Sequence, residues 1–138
     1  MEKKYFFTLG FLFIFIFFFI ILNKYVYPED IEKFKMTNKK IPLILFKTGS
    51  LNVLPSEIQV AIDKCSKKLQ SKYYYFNDQM CHIFIKNNYD SKVLTAYDSL
   101  IPTAYKADLW RFCILYKFGG IYSDLSQEIL NSYNINRD

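Results

Sequence analysis

The sequence predicts an α/β fold with a largely parallel sheet, and three stretches carry that prediction. Ile41 to Phe46 is a compact apolar run that fits a buried first strand. Pro55 to Leu69 places Ile58, Ala61, Ile62, Cys65 and Leu69 at helical spacing, with lysines elsewhere, as in an amphipathic helix laid on a sheet. Ile101 to Gln127 reads as a long helix, a double-glycine stop and a short strand ending in an acid.

The elements follow in order. Tyr5 to Leu22 is an almost unbroken apolar run of about 18 residues, close to the ~20 that cross a bilayer as a helix. The bulky Asn23-Lys24-Tyr25-Val26-Tyr27 that follows offers no small-residue cleavage site, so a retained anchor is expected rather than a cleaved signal peptide. Tyr5, Tyr25 and Tyr27 suit the interfacial belts. Lys3 and Lys4 precede the run, which favours a cytosolic N-terminus and a lumenal or extracytoplasmic remainder. The expected organisation is an anchor over 1–27, a polar stem over 28–40 and a folded part over 41–138.

Within that folded part, Lys47-Thr48-Gly49-Ser50 reads as a loop after the first strand. Lys72 to Phe76 fits a strand by its aromatic content. Asn77-Asp78 supplies a turn and a cap before a helix over Gln79 to Lys86, and Asp90 can cap Ser91 to Tyr97. Pro102 suits the first turn of a helix that runs to Phe118. Gly119 and Gly120 stop it, because glycine tolerates the left-handed backbone found at helix ends. Ile121-Tyr122 then reads as a short strand running into Asp124.

The composition narrows the function classes. The net charge of +5 comes almost wholly from lysine, since Arg111 and Arg137 are the only arginines. The lysines are scattered rather than gathered in a stripe, which argues against nucleic acid as a partner. Cys65, Cys81 and Cys113 form no CxxC pattern, so zinc is not expected. Cys113 reads as a small core residue, and one disulfide among the three stays open. His82 is the only histidine, so neither a histidine metal site nor a triad is expected and a surface place suits it.

The polar residues of the central stretch carry the chemistry. Asp108 and Arg111 are three apart and share a helical face. Asp124 falls just past a strand end, where open α/β sheets place their ligands. An acid and a base on a helix, facing an acid at a strand tip, can hold a polar ligand together with Mg²⁺ or Mn²⁺, which prefer oxygen ligands. On spacing alone, a surface ion pair and a turn acid account for the same residues.

The stretch resembles the DXD sugar-binding region of glycosyltransferases with a GT-A fold. The likeness is to the mannosyltransferases and capsular-polysaccharide glycosyltransferases of glycosyltransferase family 32. Their D-x-x-R helix stands here as Asp108-Leu109-Trp110-Arg111. Their G-G-hydrophobic-Tyr-x-D-x-D stands as Gly119-Gly120-Ile121-Tyr122-Ser123-Asp124-Leu125-Ser126, with Ser126 in place of the second acid. IPLILFKTGS, from Ile41, is similar to the family's opening I-P-K-I-I-H-Q-T, and the resemblance implies that its loop faces the nucleotide.

The resemblance spans Ile41 to about Asn134 and implies the N-terminal, nucleotide-sugar-binding half of a GT-A domain. It implies a membrane-anchored enzyme that moves a sugar from a nucleotide-sugar donor to a glycan, lipid or protein acceptor. Asp108 and Arg111 would hold the donor sugar and its diphosphate side, and Asp124 the ribose or a divalent cation, Mn²⁺ or Mg²⁺. Ser126 would stand at the second metal position, and Tyr122 and Trp110 would serve packing. The alternative is a truncated, non-catalytic membrane protein related to these enzymes.

Overall fold

The structure, a computed structural model, describes residues 41–132. The expected anchor and stem lie outside the described residues. Among the described residues, no helix is long and apolar enough to cross a membrane.

Strand β1 (Ile44–Gly49) is followed by helix α1 (Ser56–Leu69) and strand β2 (Lys72–Asn77). Helices α2 (Asp78–Asn88), α3 (Ser91–Ser99) and α4 (Thr103–Phe118) then lead to the two-residue strand β3 (Ile121–Tyr122). The sheet order is β2-β1-β3, and both pairings are parallel. The α/β class with a parallel sheet is therefore present as expected.

Strand side chains alternate between faces, and β1 shows what each face covers. Leu45 packs with Cys65 and Leu69 of α1. Phe46, one residue on, meets Tyr74 and Phe76 of β2 and Phe118 of α4 on the other face. Ile44, Leu45 and Phe46 have no exposed surface, as a strand covered on both sides requires.

Local signals explain the element boundaries. The Asn77 side chain accepts from Met80 N–H at 2.8 Å and opens α2. Asp90 accepts from the Lys92 and Val93 amides at 3.0 Å and opens α3. Pro102 precedes α4, and positive φ at Gly119 (69°) and Gly120 (86°) ends it. Gly120 is also a close approach: a Cβ there would lie 2.9 Å from the Ile44 carbonyl oxygen.

One expectation is corrected. Lys47 and Thr48 do not open a loop; they continue β1, which runs to Gly49, and Lys47 is completely buried. A polar residue ends an apolar run in the sequence, but hydrogen-bond partners from distant parts of the chain make its burial tolerable.

All three cysteines are free and buried. Cys113 lies in the core as expected, and burial pushes the Cys81 thiol up to about 12. His82 sits at the surface, with Nε2 3.1 Å from an Asp98 carboxylate oxygen.

Candidate functional site

The chain leaves β1 for β2 on one side, then passes back over the sheet to place β3 on the other. The C-terminal ends of β1 and β3 therefore flank a topological switch point, the usual ligand position in an open parallel sheet. A cavity of about 210 Å³ opens there. Thr48 to Ser50 line it from β1, and Tyr122, Asp124 and Leu125 from the segment at β3. The first turns of α2 and α4 and the end of α3 close it, through Asp78, Cys81, Tyr97, Ala104, Lys106 and Ala107.

Asp124 is held firmly. The Tyr122 hydroxyl donates to Asp124 Oδ1 at 2.9 Å. The Asp124 amide donates to Gln127 Oε1 at 3.0 Å, and the Gln127 amide donates to the Asp124 carbonyl at 3.0 Å. These two bonds close a turn over Asp124 to Gln127. The Ser123 amide bonds the Phe46 carbonyl at 3.1 Å and ties the turn to β1.

From the helix, Arg111 pairs with Asp108 one turn earlier, and its guanidinium lies 4.8 Å from the centre of the Tyr122 ring. Asp108, Arg111, Tyr122 and Asp124 thus form one connected series from helix to strand tip. The Asp108 side chain is half exposed, so the ion pair contributes little stability and leaves the guanidinium able to exchange partners. Burial, with the bond to Asp124, pushes the Tyr122 phenol upward, so it remains a donor.

The site residues expected from the sequence are therefore only partly assembled around the cavity. Asp124 lines it. Arg111 reaches it through Tyr122, and Asp108 through Arg111. Ser126 is exposed at the turn and is not among the lining residues. Trp110 is pure packing, buried against Phe76 at a ring separation of 4.9 Å. Tyr122 does more than pack, because it lines the cavity and bonds Asp124. Asp78, Tyr97 and Lys106 also line the cavity, and no motif in the sequence marks them. Lys47, equally unmarked in the sequence, donates from Nζ to Ser123 Oγ, the Asp124 carbonyl and the Gln127 carbonyl at 3.2, 2.8 and 3.3 Å.

Among the described residues, no three His, Cys, Asp or Glu side chains converge to hold a metal ion. Asp124 alone fits a different arrangement, in which a hard cation takes one carboxylate from the protein and its remaining oxygens from substrate phosphates and water.

Residues 55–137 match the family described as glycosyltransferase sugar-binding region containing DXD motif. The chain belongs to this family. The matched span includes Asp124-Leu125-Ser126. Two relatives are informative. Inositol phosphoceramide mannosyltransferase 3 of Schizosaccharomyces pombe is 36% identical over 102 residues, which is 72% of this chain and 28% of that protein. Uncharacterized glycosyltransferase L373 of Acanthamoeba polyphaga mimivirus is 34% identical over 73 residues, 52% of this chain and 29% of that one. The chain thus spans less than a third of the length of these curated relatives. No solved structure matches it.

Proposed function

We propose that residues 41–138 form the nucleotide-sugar-binding part of a GT-A-type glycosyltransferase, which transfers a sugar from a nucleotide-sugar donor to a hydroxyl of a glycan, lipid or protein. The observation that carries this reading is Asp124, fixed at the mouth of a cavity at the sheet's switch point, on the segment that matches the DXD region. Two features suit a diphosphate. Arg111 presents a forked, permanently charged group beside Tyr122. The first turn of α4 lines the cavity without a side-chain cap, and a helix N-terminus favours anions. The relative named for inositol phosphoceramide supports a lipid among the acceptor classes.

Asp124 would hold a divalent cation, with Ser126 as a weaker neighbour, and the cation would supply positive charge to the departing diphosphate. A neutral hydroxyl binds such a cation less strongly than a carboxylate does. Ser126→Asp is therefore expected to tighten Mn²⁺ binding by about 1–3 kcal/mol, comparable to other charge-assisted contacts. Calorimetric titration of Mn²⁺ into both proteins checks this. A folded Ser126→Asp protein with no gain shows that position 126 faces away from the metal.

Hydrolysis of nucleotide sugars by the full chain in Mn²⁺ tests the enzymatic reading. A second reading, binding without transfer, draws on the single carboxylate of Asp124-Leu125-Ser126, and donor binding with no hydrolysis or transfer would favour it. The apolar run Tyr5 to Leu22 supports anchoring of the folded part to a membrane through the 28–40 stem, with the N-terminus cytosolic. The full chain should then stay in the pellet after carbonate washing, and a soluble product beginning near Lys24 would contradict the anchor.

A further inference from the structure

Lys47 is a buried ammonium on the face of β1 turned away from the cavity. The next residue, Thr48, faces α2 and bonds Cys81, and Thr48 and Cys81 line the cavity while Lys47 does not. Lys47 lies instead on the side of Cys65 in α1, beneath the Asp124–Gln127 turn. Its three bonds all go to neutral oxygens of that turn and of the serine before it. The protonated amine has one N–H for each of these acceptors, two carbonyls and a serine hydroxyl.

Burying that charge is costly, and a methionine would fill similar space without the cost. The ammonium does what methionine cannot. It fastens both ends of a segment whose middle carries an exposed serine and whose first residue, Asp124, lines the cavity and accepts from the Tyr122 hydroxyl.

We propose that Lys47 is a positioning residue of the cavity, clamping Ser123 to Gln127 from the far face of β1 and so holding the Asp124 carboxylate where a nucleoside diphosphate is bound. The inference rests on the donor-site reading for its ligand and on the hydrogen bonds alone for the clamp. Burial pulls the Lys47 amine below the usual lysine range, and the neighbouring Cys65 and Asp124 oppose that shift.

The test uses the full chain in detergent and the variants Lys47→Met, Lys47→Gln and Ser123→Ala. Two readouts are taken: amide hydrogen exchange, and affinity for GDP and for UDP in Mn²⁺. In the wild type the Ser123, Asp124 and Gln127 amides are all hydrogen-bonded and serve as local reporters. Lys47→Met is expected to speed their exchange and to weaken diphosphate binding by about tenfold or more, with α1 protection unchanged. Lys47→Gln, which regains two donors, should recover part of both effects. Ser123→Ala removes one acceptor and should give a smaller loss; it carries the test if Lys47→Met does not fold. Unchanged exchange of the turn in folded variants overturns the clamp. Faster exchange with unchanged affinity overturns the positioning role. A wild type that binds neither diphosphate overturns the donor reading instead, and the exchange data still decide the clamp.

Discussion

Trp110→Ala is expected to cost about 3–5 kcal/mol, the range for removing a buried large aromatic. Trp110 has no exposed surface and joins three elements, with ring separations of 4.9 Å to Phe76 of β2, 6.2 Å to Phe84 of α2 and 6.3 Å to Tyr122 of β3. Its loss would leave a cavity where α4 meets the sheet, and the tilted rings of Phe84, Phe118 and Phe46 pack onward from there. Domains of this size have about 5–15 kcal/mol of stability in total, so the variant should lose much of its cooperative unfolding transition. Trp110→Phe separates volume from polarity. The indole N–H is buried without a partner among the described residues, so phenylalanine removes an unsatisfied donor while keeping most of the packing. Thermal or urea unfolding of both variants should show Phe costing less than half as much as Ala. Equal costs would mean that the indole N–H has a partner that stabilises it.

Gly120→Ala is expected to cost about 2–4 kcal/mol, from a side chain forced into positive φ and from contact with backbone. Its Cβ would meet the Ile44 carbonyl oxygen at 2.9 Å and the Phe46 ring at 3.2 Å. A carbonyl inside a fully covered strand cannot swing aside as a flexible side chain would. The strain therefore has to move β3 away from β1, breaking the Leu45–Ile121 and Phe46–Tyr122 register. Because the Ser123 amide hangs from the Phe46 carbonyl, Asp124 should move with it. The variant should accordingly lose nucleoside-diphosphate affinity even where it remains folded. A folded Gly120→Ala protein with wild-type affinity would show that the β1–β3 pairing does not set the place of Asp124.

Much of the fold was legible because its signals are local. The helix from Pro102, the two glycines and the strand Ile121-Tyr122 each follow from backbone rules that act over a few residues, and all stand where the sequence puts them. So do the caps at Asn77 and Asp90. Lys47 was not legible, since its acceptors lie 76 to 80 residues further along the chain and no window of sequence pairs them. Asp78, Tyr97 and Lys106 entered the cavity for the same reason: the sheet order, not their neighbours in sequence, brings α2, α3 and α4 to the ends of β1 and β3. Asp124 could be found because the strand-end rule and the family pattern point to one residue. Tyr122 was read as packing, and its hydroxyl bond to Asp124, two residues on, is a detail of side-chain direction that the pattern does not carry.

The central claim is that Asp124 anchors a nucleotide-sugar donor. Calorimetric titration of a nucleoside diphosphate sugar, with Mn²⁺ present, into the full chain, Asp124→Asn and the surface control Glu57→Gln tests it most directly. Glu57 is exposed on α1, and its change should leave affinity as it was. Asp124→Asn keeps the shape and the oxygen that accepts from Tyr122 but removes the charge. Its affinity is expected to fall by about 30-fold or more, corresponding to ~2 kcal/mol for a lost charge-assisted contact. Equal affinity in wild type and Asp124→Asn would contradict the assignment of this cavity as the donor site.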